Sequence, residues 1–108
     1  MKITAIKTFV ARFGNRPRAL LKVETDEGLY GWGEAYSTGP DLSVKPVADY
    51  LFQLIGGEDP RRIEYIMMKQ MQEFRFPAGG VGLPAISALD HALWYISGKA
   101  AGLPVYML

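Results

Sequence analysis

The spacing of apolar positions changes along this chain from a period of two to a period near 3.6, which predicts strands first and helices after. Over Lys2 to Arg12, KITAIKTFVAR, β-branched residues alternate with polar ones. Period two sets Ile3, Ala5 and Phe9 on one face and Ile6 and Val10 on the other. Apolar groups on both faces predict a strand covered more fully than a half-solvated one. Arg18 to Asp26 and Leu29 to Ala35 predict a hairpin, with Ala19, Leu21 and Val23 alternating against Leu20, Lys22 and Glu24. Asp26, Glu27 and Gly28 supply its tight turn, where the glycine can take positive φ. In the returning strand, LYGWGEA, Tyr30, Trp32 and Glu34 project from one face. The two glycines between them mark the close approach of a neighbouring backbone or ring.

After Glu34 the period lengthens. Val44, Val47, Leu51, Leu54 and Ile55 trace a helical stripe that stops at Gly56-Gly57, and Pro46 fits only near its first turn. Asp59-Pro60 predicts an N-cap and N1 proline for a second helix with an apolar face of Ile63, Ile66, Met67, Met71 and Phe74. Methionines at helical spacing are core or interface filling. Pro84 to Ala101 is the most strongly periodic segment: at about 100° per residue, Ile86, Leu89, Leu93, Ile96 and Ala100 share a stripe, with Trp94 at its edge. Gly102 and Pro104 give its stop signal. Ala88, Ala92 and Tyr95, mixed with His91 and Lys99 on its back, predict a helix touching protein on two sides. Asp90 falls inside the apolar stripe, so its carboxylate is expected to be paired or hydrogen-bonded, in a structural role. The predicted class is α+β: a three-stranded antiparallel meander followed by three helices.

Composition narrows the chemistry. The 108 residues suit one domain, and 49% hydrophobic with 21% charged residues is globular usage. Twelve basic and eleven acidic side chains leave a formal charge of +1, which gives no electrostatic case for nucleic acid or an anionic membrane surface. With no cysteine there is neither a disulfide framework nor a thiolate metal site. No run of eighteen apolar residues and no leader pattern occur, so a cytoplasmic location is expected. The loop Phe13 to Pro17 is a plain turn or a substrate-side flap, and Tyr36 to Asp41 is a second loop. Glu73 to Gly82 is glycine-rich but lacks the Lys-Ser or Lys-Thr ending of a phosphate cradle and the strand-to-helix setting of a dinucleotide fold. Arg75 within it reads as solvated or ion-paired, with anion binding the lesser alternative. The single histidine, His91, projects about 100° from Asp90 and forms no dyad with it. Glu34, Glu73 and Asp90 sit in three separate elements and carry no acid/base spacing, so the residues alone predict a non-catalytic module.

Several motifs in order resemble a known family. They are the hairpin Thr25-Asp26-Glu27-Gly28-Leu29-Tyr30-Gly31-Trp32-Gly33-Glu34, the helix start Gly56-Gly57-Glu58-Asp59-Pro60, Gly79-Gly80-Val81, Ala85 to Trp94, and Gly98 to Tyr106. Together they are similar to the N-terminal capping domain of the enolase superfamily, in the mandelate racemase/muconate lactonizing enzyme group, and nearest to its sugar-acid dehydratases. The likeness covers essentially the whole chain. One departure is Tyr95-Ile96-Ser97, where relatives commonly carry Asp-Ile-Lys or Asp-Ile-Gly.

The resemblance implies a capping and specificity domain of a magnesium-dependent lyase acting in sugar-acid metabolism. A TIM-type barrel, absent from these residues, would hold Mg2+ on its own carboxylates and abstract the proton α to the substrate carboxylate. The cap itself would carry no catalytic or metal-binding residue. Its loops, matched to Phe13 to Arg18 and Tyr36 to Asp41, would contact the sugar acid through Asn15, Arg16 and Tyr36, while Glu34, Asp90 and Trp94 are structural. The implied partners are the chain's own barrel and, in the full-length form, further copies in a homo-oligomer. Alternatives are the cap of a racemase or cycloisomerase, or a non-catalytic module that binds protein through the helix Pro84 to Ala101.

Overall fold

The computed structural model describes residues 1–14, 16–35, 41–74 and 79–108, with the backbone alone for Phe13 and Arg16. Strands β1 (Ile3–Phe13), β2 (Arg16–Thr25) and β3 (Tyr30–Ala35) form an antiparallel meander in that order. A 3-10 turn at Asp41–Ser43 leads into helices α1 (Val44–Ile55), α2 (Ile63–Glu73) and α3 (Gly82–Ala101). The helices cover one face of the sheet, giving the expected α+β arrangement.

The hairpin turn follows its chemistry. Gly28 has φ +82°, and the Thr25 amide and Oγ1 both donate to the Leu29 carbonyl, at 3.1 and 2.8 Å. The β1 faces differ from the simple alternation. The register passes from Ile3 opposite Thr25 to Ala5 opposite Glu24, so Thr4 is an extra residue. This bulge turns both Ile3 and Ile6 into the core, whereas strict period two separates them. Beyond Thr8 the strand is not covered as expected: Phe9 and Val10 are both exposed. Phe9 packs instead against Trp32 on the outer face, with ring centroids 5.5 Å apart.

The core joins Ala19, Leu21 and Val23 of β2 to Val44, Ala48, Leu51 and Ile55 of α1 and to the buried side of α3. Helix α3 is buried on two sides, as its mixed back face predicts. Ile86, Leu89, Leu93 and Ile96 fill the core, while Ala88 and Ala92 press on β3; Ala100, expected on the stripe, is exposed. The pressure on β3 explains its glycines. A Cβ on Gly31 would overlap the Ala92 carbonyl, and one on Gly33 the Ala88 carbonyl. The helix begins at Gly82, so Pro84 lies in its first turn, and Gly102 caps it at φ +71° with its amide turned back to Gly98 and Lys99.

Helix α2 departs most from its expected form. It starts at Ile63, not at Pro60, although Asp59 Oδ1 accepts from the Arg61 amide at 2.9 Å as a cap would and its Oδ2 accepts from the Arg61 guanidinium at 2.7 Å. The Arg61 side-chain and backbone hydrogen bonds hold the Asp59 carboxyl down at about 2. Arg62, with ψ +62°, then breaks helical geometry. Ile66 and Gln70 are its buried residues, whereas Met71, expected on the apolar face, is 44% exposed and Met68 is 58% exposed. No helix among the described residues is long and apolar enough to cross a membrane.

Candidate functional site

The two segments read as flaps both leave the sheet at the same end. β1 and β2 stay paired outward through Arg12 opposite Pro17 and Phe13 opposite Arg16, so the expected loop from Phe13 to Pro17 is mostly strand, turning at Gly14 with φ +67°. The last described pair of β3 is Ala35 with Ala19. Among the described residues, the outer part of β1 and β2 is therefore a two-stranded arm. Beside it, β3 gives way to the second segment, which re-enters the described structure at the buried Asp41. Asn15, Tyr36 and Arg75 lie outside the described residues, as does the side chain of Arg16.

At the root of the arm, Arg18 and Glu34 face each other on the outer side of the sheet. One guanidinium nitrogen donates to both carboxylate oxygens, at 3.3 and 3.2 Å. Glu34 also borders two adjoining grooves between β3 and α3. The larger, about 590 Å³, lies along the free edge of β3 between Tyr30, Trp32 and Glu34 and the α3 side chains His91, Tyr95 and Lys99. Lys99 Nζ closes one end of that edge, donating to the Tyr30 carbonyl at 2.7 Å and lying 3.7 Å from the Tyr30 ring centroid. The smaller, about 340 Å³, is shared by Glu34 and His91 with Leu83, Pro84 and Ser87 of the helix start. Sequence reasoning missed this β3–α3 groove, although its signal was present: a glycine-spaced strand and a helix back face that carries His, Tyr and Lys.

Asp90 belongs to a different surface of α3. It is half-buried, and burial pushes its carboxyl above the ordinary 3.8, against the opposing pull of the His91 charge and of a hydrogen bond with Trp94. Trp94 lines a third groove with Arg61, Arg62, Tyr65 and Ser97. The structure thus couples Asp90 to Trp94 and Glu34 to Arg18 as separate pairs. Because the folded pKa of Asp90 lies above its unfolded value, the native state binds the extra proton, and its contribution to stability is lost as pH rises from about 3.8 through the folded value. Asp90→Asn should flatten that part of the stability-versus-pH curve. Urea melts between pH 3 and 7 check it; an unchanged curve would remove the burial account.

Among the described residues no three His, Asp or Glu side chains converge at metal-ligand spacing, so the residues present do not fit a magnesium ion. No chemical step through a metal is assigned to them.

Comparison with known proteins places this geometry. The family described as "Mandelate racemase / muconate lactonizing enzyme, N-terminal domain" matches residues 2–108. A D-galactonate dehydratase of Xanthomonas campestris pv. campestris (strain B100) is 42% identical over 109 residues, covering 100% of this chain and 28% of the relative. An enolase from Agrobacterium radiobacter, crystallised with Na and L-malate, is 50% identical with a TM-score of 0.95, over 99% of this chain and 27% of its own. An enolase from Pantoea ananatis with bound D-gluconate and Mg is 40% identical with a TM-score of 0.91, over 97% and 26%. The chain spans a little over a quarter of the length of these relatives. With a match over 2–108 and the same meander-plus-helices fold, the chain belongs to the mandelate racemase/muconate lactonizing enzyme N-terminal domain family of the enolase superfamily.

Proposed function

We propose that these residues form the capping domain of a magnesium-dependent sugar-acid dehydratase, closing over a substrate held by a barrel domain elsewhere in the same protein. The observation that carries this reading is the shared sheet end: the β1–β2 arm and the exit of β3 stand side by side, at the Ala19–Ala35 pair. Two segments at one end can descend together on one small molecule. The 42% identity to a D-galactonate dehydratase supports a sugar acid as that molecule. In this reading the metal, whose chemistry is to stabilise negative charge at the substrate carboxylate, is held outside these 108 residues. The domain's own residues exclude water and orient the polyol, with Asn15, Arg16 and Tyr36 as contacts. Its specificity then resides in the loops and its stability in the sheet and helices.

The test is Arg16→Ala in the full-length parent enzyme. The expected result is a fall in kcat/KM on D-galactonate of about tenfold, the scale of one lost charge-assisted contact, with Tm nearly unchanged because a loop-end side chain supports little of the fold. An unchanged kcat/KM for every sugar acid tried would refute the capping assignment. Substrate α-proton exchange with inversion, or ring closure, in place of loss of water would move the parent to the racemase or cycloisomerase alternative.

A further inference from the structure

We infer that the groove between the start of α2 and the last turns of α3 is the seat of the barrel domain, which fills it with apolar side chains. This rests on the capping reading only for the identity of the body that follows. The groove, about 510 Å³, is bordered by Arg61, Arg62, Tyr65, Trp94, Ser97 and Leu108. Its three large apolar side chains, Tyr65, Trp94 and Leu108, come from α2, α3 and the chain beyond α3, and all three are exposed. Large side chains converging on one hollow mark a contact surface, whereas single exposed ones are ordinary. The rim's cations are already engaged within the domain. The Arg62 guanidinium lies 4.1 Å from the Tyr65 ring centroid, and Arg61 is bound to Asp59 at 2.7 Å. The hollow therefore suits an apolar filling inside a polar rim, not an anionic ligand.

The occupant follows from the course of the chain. Gly102 ends α3, and the Leu103 amide turns back to donate to the Gly98 carbonyl at 2.9 Å. The 3-10 turn Val105–Met107 then lies against the helix, so that Leu108 Cδ1 and Val105 Cγ2 would each stand 3.8 Å from a Cβ on Gly98. This fold-back makes Leu108 a wall of the groove and leaves Tyr106 and Met107 exposed next to it in the chain. The matched family is an N-terminal domain, and the chain covers 28% of the Xanthomonas dehydratase and 27% of the Agrobacterium enolase. In such proteins the larger body comes after position 108 and sets out from this wall. A tethered body reaches the groove at a high effective concentration, whereas a second copy has to meet it by diffusion. The barrel is therefore the occupant.

The experiment is hydroxyl-radical footprinting of the full-length parent, which needs no variant. Tyr65 and Tyr50 share one chemistry and nearly one exposure within this domain, 40% and 43%, so Tyr50 of α1 is the internal standard. The core of a domain contact is nearly dry, so Tyr65 should be oxidised at least about fivefold more slowly than Tyr50. Lysine cross-linking of a parent preparation assembled from unlabelled and isotope-labelled copies then identifies the cover, because Lys69 Nζ lies 5.9 Å from the Tyr65 ring centroid. Its links are expected within one polypeptide, to residues beyond position 108. Tyr65 as reactive as Tyr50, or Lys69 links that run only between copies, would overturn the inference. Arg16→Ala, assayed alongside, reports on the capping reading separately. A silent Arg16→Ala beside a protected Tyr65 removes the substrate role and leaves the docking; a loss of kcat/KM in Arg16→Ala beside an unprotected Tyr65 removes the docking alone.

Discussion

Replacing Gly33 by alanine should destabilise this domain by at least about 3 kcal/mol, more than any surface substitution in the chain. Overpacking a core commonly costs about 1–3 kcal/mol because side chains can give way. Here the added methyl meets the Ala88 carbonyl, a backbone group already fixed within α3, so relief requires the whole helix to back away from the sheet. That movement would loosen the Ala88 and Ala92 contacts together and open the core behind them. At roughly 4–8 °C per kcal/mol for a domain near this size, Tm should fall by more than about 12 °C. Gly31→Ala, against the Ala92 carbonyl, should behave alike. Gly80→Ala, with nothing within 4 Å of the new atom, is the control and should shift Tm by no more than about 2 °C. A loss of under about 1 kcal/mol at Gly33 would show that α3 is not locked against β3.

The glycine pair also shows what could be read from the chain alone. YGWGEA announces close approach because glycine is a poor strand residue and two at alternate positions leave one strand face bare. The Ala88 and Ala92 spacing announces the other half of the same contact, and the order of elements follows from the change of period. The misses share a cause, which is competition that spacing cannot register. At Asp59 the capping signal was real and its carboxylate does accept from the Arg61 amide, but Arg62 leaves helical geometry after that one turn, and the helix waits until Ile63. At Thr4 one inserted residue brings Ile6 inward together with Ile3, and no residue type marks it. Of the structural residues expected from sequence, Glu34 is paired with Arg18, sixteen positions away. The β3–α3 groove likewise depends on elements distant in sequence. Periodicity reports the element a residue occupies; a site depends on which elements become neighbours.

Truncating Leu89 to alanine is the second large effect. The residue is 0% exposed and lies midway along α3, in the core that the helix shares with the sheet and with α1. Leu→Ala changes in cores cost about 2–5 kcal/mol, set by how far the surroundings collapse into the space left. Collapse here is restricted, since the glycine contacts fix the distance of α3 from β3 and leave the helix little freedom to slide inward. We therefore expect about 4 kcal/mol, a large share of the roughly 5–15 kcal/mol that holds a domain together. Leu89→Met, which conserves volume, should cost less than about 1.5 kcal/mol. Urea melts with an unchanged slope measure both, and a loss below about 1.5 kcal/mol for the alanine variant would mean that α3 relaxes freely. The same variant separates scaffold from site in the full-length parent. If α3 only seats the sheet, Leu89→Ala that remains folded at 25 °C should keep kcat/KM within about twofold while Tm drops, the reverse of the pattern expected for Arg16→Ala. A tenfold loss of kcat/KM in a fully folded sample would show that packing behind β3 governs the arm and its neighbouring segment directly.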